Sequence, residues 1–228
     1  MTTSDRVRLA PSDRFTPFFD VPGARWDRPE GRLHAYLLLP DGVADVLGRA
    51  ADAVAELLPV QPIGSLHLTV AQFPWYESDL SDVSIARLGQ DLGRAVGGCG
   101  PLEVLLDPPV VTATGVVVPA RVTGWQGLTR STSRLRVPGH AGVPVATEAP
   151  HVTLAYAVEP VVAGPVAARV ARVRAHWQPL RFAVDTAYLL PVTQGAESGT
   201  FTWPWALPVR LSGDAESGPA RPHFTRCA

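Results

Sequence analysis

The chain has 228 residues, of which 46% are hydrophobic, and a formal net charge of −1 at pH 7. This length and apolar content suffice for a full hydrophobic core and exclude an intrinsically disordered chain. A net charge near zero argues against a protein that coats nucleic acid through bulk electrostatic attraction. No uncharged apolar run of membrane-spanning length occurs, and the charged start lacks a hydrophobic signal core, so we expect a cytoplasmic protein without membrane contact.

Cysteine usage gives no sign of a disulfide framework or a zinc site. The two cysteines, Cys99 and Cys227, lack the spacing of metal ligands, and Cys227 is the penultimate residue. We therefore expect a reducing compartment, no metal and no cofactor.

Hydrophobic periodicity divides the chain into three parts. Residues 1–32 show no sustained period, and we interpret them as an N-terminal extension that either packs as a lid or stays loose. Residues 33–211 alternate strand and helix patterns and form the predicted bilobal domain. Residues 212–228 are rich in Gly, Pro and charge, which predicts a disordered tail.

The predicted elements of the domain follow in chain order. They are a strand at 33–39, a helix at about 43–58, a strand at 65–73, a helix that begins at Ser81 or Asp82 and ends at Gly97, a strand at 102–106, a hairpin at 110–122 broken at Gly115, a helix at 125–137, a strand at 151–158, a helix opened by Pro165, and two strands at 181–192 and 200–209. This order predicts an α+β protein of two similar halves.

Each half contains one apolar strand that is interrupted by His-x-Thr. His67 and Thr69 lie in SLHLTV, and His151 and Thr153 lie in APHVTLAY. Residues two apart in a strand project from the same face, so each strand presents an imidazole beside a hydroxyl, with apolar residues behind them.

If the two strands face each other across a cleft, two imidazoles and two hydroxyls converge. One histidine can then take a proton from the attacking group while the other gives a proton to the leaving oxygen, and the threonines can hold the non-bridging oxygens of a phosphodiester. A single His-x-Thr is more simply a core histidine with its hydrogen bonds satisfied. A third copy, His223 to Thr225, stands among Pro and Arg in the tail, and we attribute it to chance.

The sequence resembles the 2H phosphoesterases, in particular the branch of 2′-5′ RNA ligase-like proteins and 2′,3′-cyclic phosphodiesterases. The resemblance rests on LHLTV and HVTLAY, is supported by RLHAYLLLP upstream, and covers residues 32–207. It implies a bilobal fold of two mostly antiparallel sheets flanked by helices, with both motifs in a central cleft. It also implies an enzyme that acts without metal on 2′,3′-cyclic phosphates or 2′-5′ linkages of nucleotides or RNA ends, with His67 and His151 catalytic and Thr69 and Thr153 binding phosphate.

Further residues are weaker candidates for substrate binding. Relatives carry an arginine or a tyrosine five residues after the second motif histidine, and here this residue is Tyr156. Strict alternation would point Tyr156 away from His151, so its participation requires a bulge. His34 and Tyr36 share the polar face of the first strand, Trp75 follows the first motif and could stack on a base, and Arg130 lies in an arginine-rich stretch poor in acids.

Some alternatives stay open at this level. A non-catalytic module that senses nucleotides or RNA ends would use the same phosphate pocket, and we expect either protein to be a monomer. A metallohydrolase is disfavoured because neither motif supplies a third ligand, and no G-x-S-x-G elbow supports a serine nucleophile. The exact substrate, the choice between hydrolysis and ligation, and the division of acid and base roles between the histidines are not determined.

Overall fold

The computed structural model describes residues 13–212 and the backbone of residues 225–226. Its helices are α1 (Asp41–Asp52), α2 (Asp82–Val96), α3 (Trp125–Thr132) and α4 (Ala163–Ala175). Its strands are β1 (Arg32–Leu38), β2 (His67–Tyr76), β3 (Leu102–Leu106), β4 (Val110–Thr112), β5 (Gly115–Val122), β6 (Val145–Ala146), β7 (His151–Tyr156), β8 (Leu180–Val184), β9 (Thr186–Gly195), β10 (Thr200–Thr202), β11 (Trp205–Arg210) and β12 (Thr225–Arg226). The predicted α+β class is confirmed.

The larger sheet has β1 near its centre. Its strand order is β12-β11-β9-β1-β2-β6, with β10 added on β9, and the paired strands run antiparallel. Helix α2 packs on β11 so closely that a Cβ at Gly89 would lie 2.4 Å from the Leu207 side chain. The apolar stripe of α2 that the sequence predicts is buried there, and Ser81 caps the helix by accepting a hydrogen bond from the Ser84 N–H.

The smaller sheet is built around β5. Strands β4 and β3 pair with successive parts of β5, β8 pairs with β3, and β7 also pairs with β5, all antiparallel. The first motif therefore belongs to the larger sheet and the second motif to the smaller one.

The two motif strands come together where the sheets share one hydrophobic core. Strands β2 and β7 contact each other, and their inward residues Leu68, Val70, Val152 and Leu154 are at most 1% exposed. Residues 59–61 pair with β7, since the Gln61 N–H donates to the Leu154 carbonyl at 2.8 Å. The core thus backs both motifs at once.

An N-terminal segment, residues 13–31, packs against both sheets. On the side of the smaller sheet, the N–H of Phe18 donates to the Ala157 carbonyl at 2.7 Å. On the side of the larger sheet, the N–H of Trp26 donates to Gln194 Oε1 at 3.0 Å, and the Tyr76 hydroxyl donates to Asp27 at 2.6 Å. Residues 13–31 therefore pack on the domain instead of staying loose, while residues 1–12 lie outside the described residues.

Several element boundaries differ from the predictions. The helix predicted at about 43–58 ends at Asp52 and continues through tight turns that still bury Val54 and Leu58, so the apolar period outlasts the helix. The helix predicted at 125–137 likewise ends at Thr132, and the turns that follow it still bury Leu135 and Val137.

Each of the last two predicted strands is split. The 181–192 segment breaks at Asp185, whose carbonyl accepts from the Leu211 N–H, and its halves enter different sheets. The 200–209 segment breaks at Pro204, which has no N–H to donate to a sheet.

The predicted tail is described only in part. Residues 225–226 pair with β11, whereas 213–224 and 227–228, including His223 and Cys227, lie outside the described residues. Cys99 is a half-buried free thiol. None of the described helices combines the length and apolar character needed to cross a membrane.

Candidate active site

The four motif side chains are half-buried on the polar faces of β2 and β7. His67 and His151 lie close enough for a charge on His151 to lower the pKa of His67. The structure therefore brings together the two strands that the sequence singles out.

A β-bulge follows the threonine in each motif strand. Between β1 and β2 the register passes from Ala35 opposite Ala71 to Tyr36 opposite Thr69, which leaves Val70 unpaired. Between β5 and β7 it passes from Val116 opposite Ala155 to Val117 opposite Thr153, which leaves Leu154 unpaired. A bulge reverses the alternation of side chains beyond it. The fifth residue after each histidine, Gln72 or Tyr156, therefore returns to the face of that histidine.

Gly115 lies opposite Tyr156, just beyond the bulge in β7. A Cβ at this position would lie 2.1 Å from the Ala155 carbonyl oxygen, far inside van der Waals contact. The close approach of β5 to β7 beyond the bulge thus requires a residue without a side chain.

Both catalytic candidates are oriented by the backbone. The Nδ1 atom of His67 lies 2.6 Å from the Ser65 carbonyl oxygen, and Nδ1 of His151 lies 2.9 Å from the Ala149 carbonyl oxygen. A carbonyl oxygen only accepts, so Nδ1 carries the proton in each ring. This leaves Nε2 as the nitrogen that can exchange a proton with a substrate.

Burial lowers the pKa of His67 to about 4, and the Ser65 carbonyl opposes the change only in part. At neutral pH this imidazole is uncharged and its Nε2 can accept a proton. His67 is thus suited to act as a base.

A tyrosine accompanies each motif threonine. The Tyr156 hydroxyl lies 3.2 Å from Thr153 Oγ1, and the Tyr36 hydroxyl contacts the side chain of Thr69. Burial raises the pKa of both tyrosines, so they remain protonated donors at neutral pH. Tyr156 can share a face with His151 only if the strand contains a bulge. The bulge at Leu154 is present, and it brings Tyr156 to the polar face of the second motif.

Aromatic rings surround the first motif histidine. The Tyr36 ring stacks on the His67 ring with 3.7 Å between centroids and 7° between planes. Trp203, in the loop between β10 and β11, meets the His67 ring nearly at right angles at 5.8 Å. No spacing in the sequence singles out Trp203, and the density of aromatic residues in TFTWPW is the one sign of its role.

The N-terminal segment also contributes aromatic contacts to this region. The Phe18 ring lies 4.1 Å from the Tyr156 ring, and the Trp26 ring lies 5.1 Å from the His34 ring. No periodicity marks Phe18 or Trp26 in the sequence.

The structure places the other three weaker candidates in different surroundings, and a role of each in substrate binding stays a prediction. His34 is 1% exposed, and its ring packs between the rings of Trp26 and Tyr36. Trp75 is buried in the core, where its Nε1 donates to the Ala141 carbonyl, because the bulge at Val70 turns it to the core face. Arg130 is exposed on α3.

Within residues 13–212 and 225–226, no three His, Cys, Asp or Glu side chains are grouped so that they could hold a metal ion. The described part of the site consists of imidazole, hydroxyl and aromatic groups.

Comparison of the sequence with models of known families and with curated proteins gave no match. Solved structures do match the fold. TT0787 of Thermus thermophilus is 20% identical, with a TM-score of 0.54 over 80% of this chain and 99% of its own. A phosphoesterase is 18% identical (TM-score 0.49, over 80% and 99%), and Escherichia coli LigT complexed with phosphate is 16% identical (TM-score 0.48, over 81% and 99%). The chain therefore has the fold of TT0787.

Proposed function

We propose that this protein is a metal-independent phosphodiesterase that acts on 2′,3′-cyclic phosphates or 2′-5′ linkages of nucleotides or RNA ends. The observation that carries the proposal is the proximity of His67 and His151 on two contacting strands, one from each sheet, each histidine with Nδ1 bound to a backbone carbonyl and a threonine on the same face. Two such imidazoles can move both protons that the reaction requires.

In the proposed reaction, water attacks the phosphorus atom and gives its proton to Nε2 of His67. The bond between phosphorus and the leaving oxygen breaks, and Nε2 of a protonated His151 donates its proton to that oxygen. We assign the base role to His67 because burial lowers its pKa to about 4 and keeps it uncharged at neutral pH. When the product leaves, His67 is protonated and His151 is neutral. Proton exchange with solvent then returns each histidine to its starting protonation state.

The hydroxyl groups stabilise the negative charge that develops on the phosphoryl oxygens. Thr69 and Thr153 lie beside the two histidines, and Tyr156 adds a third donor next to Thr153. Hydrogen bonds to charged oxygens are each worth about 1.5–3 kcal/mol. This part of the site therefore contributes less per group than the proton transfers.

The test is hydrolysis of 2′,3′-cyclic nucleotides in EDTA by wild type, His67→Ala and His151→Ala, with the phosphate position of the product assigned by phosphorus NMR. His176→Ala is the matched control, since it removes an exposed histidine next to the last turn of α4. Each motif variant should lose about 10²- to 10⁴-fold in kcat, and the double variant less than the product of the two losses.

Circular dichroism establishes that each variant is folded. Retention of activity in either folded motif variant would refute the paired-histidine mechanism. The wild-type protein could instead be inactive in EDTA and yet be stabilised against heat by cyclic nucleotides. That result would support the alternative of a non-catalytic module that senses nucleotides through the same pocket.

A further inference from the structure

Two aromatic residues enclose the imidazole of His67. Tyr36 covers one face of the ring, at 3.7 Å between centroids and 7° between planes. Trp203 stands against the His67 ring at 5.8 Å and 83°, and against the Tyr36 ring at 5.7 Å and 80°. The three rings thus form one packed unit, which we call the aromatic clamp (Tyr36, Trp203 and the His67 ring they hold).

Both clamp residues are held by the surrounding structure. Tyr36 on β1 lies opposite Thr69 on β2, is 3% exposed, and contacts the His34 ring. Trp203 follows the β9–β10 hairpin, which buried Gln61 anchors: its Nε2 donates to the Gly199 carbonyl at 2.5 Å, and its Oε1 accepts from the Phe201 N–H at 3.3 Å. A ring held on such supports cannot move aside without breaking buried hydrogen bonds or packing.

The clamp adds two constraints to the one that the backbone supplies. The Ser65 carbonyl fixes Nδ1 of His67 but permits the ring to tilt about that hydrogen bond. The parallel Tyr36 ring removes this tilt, and the Trp203 ring limits rotation in the ring plane. Catalytic groups must be held within about 0.5 Å and 10–20° of the productive geometry, which is the precision that such packing supplies.

We propose that Tyr36 and Trp203 are positioning residues that hold the His67 imidazole in its reactive orientation and keep water from its faces. The inference rests on the proposed function only for its kinetic readout, because the position and environment of the ring can be measured without substrate.

Displacement of water explains why His67 is uncharged. Burial is the largest cause of its lowered pKa. The titratable groups that face it are His151 from β7 and the β1 residues His34 and Tyr36, with Tyr156 beyond Tyr36. Opening the clamp should therefore raise the pKa of His67 from about 4 toward the ordinary value near 6.5.

The test compares Tyr36→Phe, Tyr36→Leu and Trp203→Leu with wild type, and Tyr188→Leu is the matched control. Tyr188 lies opposite Tyr36 on β9 and packs in the same aromatic cluster, but it does not stack on His67. The first readout is the pH titration of the His67 ring carbon-bound protons by NMR, together with their upfield ring-current shift at high pH.

Tyr36→Phe should keep the titration and the upfield shift, because the stacked ring remains. Tyr36→Leu and Trp203→Leu should move the titration midpoint upward by at least one pH unit and reduce the upfield shift, while Tyr188→Leu should do neither. An unchanged midpoint and shift in folded Tyr36→Leu and Trp203→Leu would overturn the clamp, and so would equal changes in Tyr188→Leu.

The second readout is the pH profile of kcat with a 2′,3′-cyclic nucleotide. Tyr36→Leu should lower kcat about tenfold with little change in KM and move the acid limb upward, and Tyr36→Phe should retain that limb. An inactive wild type with the expected NMR titrations would contradict the proposed function and leave the clamp supported. An active enzyme whose acid limb stays fixed in Tyr36→Leu would contradict the clamp alone.

Discussion

Thr153 and Tyr156 lie on one face of β7 with their hydroxyl oxygens 3.2 Å apart, although they are three residues apart in the strand. The unpaired residue Leu154 between them produces this arrangement, and Gly115 on β5 leaves room for it. The pair places two adjacent hydroxyl donors beside His151, where the proposed reaction develops negative charge.

Tyr156→Phe should lower kcat/KM for a 2′,3′-cyclic nucleotide by about 10- to 100-fold, because it removes one donor to a charged oxygen, worth about 1.5–3 kcal/mol. The ring remains, so its packing on Phe18 and the free energy of unfolding should change little. Steady-state kinetics and urea denaturation measure the two effects. Tyr188→Phe is the control. If Tyr156→Phe has the kinetics of the wild type, the Tyr156 hydroxyl does not bind the substrate and the residue serves only in packing.

Thr69→Val and Thr153→Val should each lower kcat/KM by about 10- to 100-fold, less than the loss in the histidine variants, since a hydrogen bond is lost while both proton transfers remain. Valine preserves the shape of threonine, so the folded structure should persist. Thr132→Val, which removes a buried hydroxyl bonded to the Leu128 carbonyl in α3, controls for loss of a hydroxyl elsewhere. Threonine variants as slow as the histidine variants would contradict this order.

The free energy of unfolding should fall as the pH is lowered from about 6 to 4. Burial lowers the pKa of His34 to about 3, while in the unfolded chain this residue has its ordinary value near 6.5. Between these values the unfolded state binds the proton and the folded state does not, so stability decreases by about 1.4 kcal/mol per pH unit for this group. His67 adds a loss of the same sign.

Urea denaturation at several pH values measures this slope. His34→Phe should make it shallower, because a phenyl ring keeps the packing against Trp26 and Tyr36 and binds no proton. His176→Gln, at an exposed position, should leave the slope unchanged. Equal slopes in wild type and His34→Phe would show that burial of His34 does not control acid stability.

Phe15→Ala should lower the free energy of unfolding by about 3–5 kcal/mol, the usual cost of removing a buried phenyl ring. Phe15 is 1% exposed, and its N–H donates to the Val161 carbonyl, so the N-terminal segment is part of the packed core. Val83→Ala, at a side chain that is 78% exposed, is the control, with an expected change within about 0.5 kcal/mol. A loss below about 1 kcal/mol for Phe15→Ala would mean that the segment detaches at little cost.

Local patterns along the chain predict the α+β class, the two motif strands and the residues that back them. Alternation within a strand and the apolar stripe of a helix depend only on backbone geometry, so Leu68 behind His67 and Leu88 on α2 could be read from spacing. The duplication of His-x-Thr supplied the functional hypothesis, because two copies in similar contexts are harder to attribute to chance than one.

The positions of the aromatic residues depend on how distant parts of the chain pack together. A bulge depends on the partner strand, so alternation alone placed Tyr156 away from His151, and the bulge at Leu154 reverses that placement. Trp203 meets His67 through contacts between residues 136 positions apart in sequence. No local pattern encodes such a contact, because it depends on how the two sheets and the β9–β10 hairpin pack together.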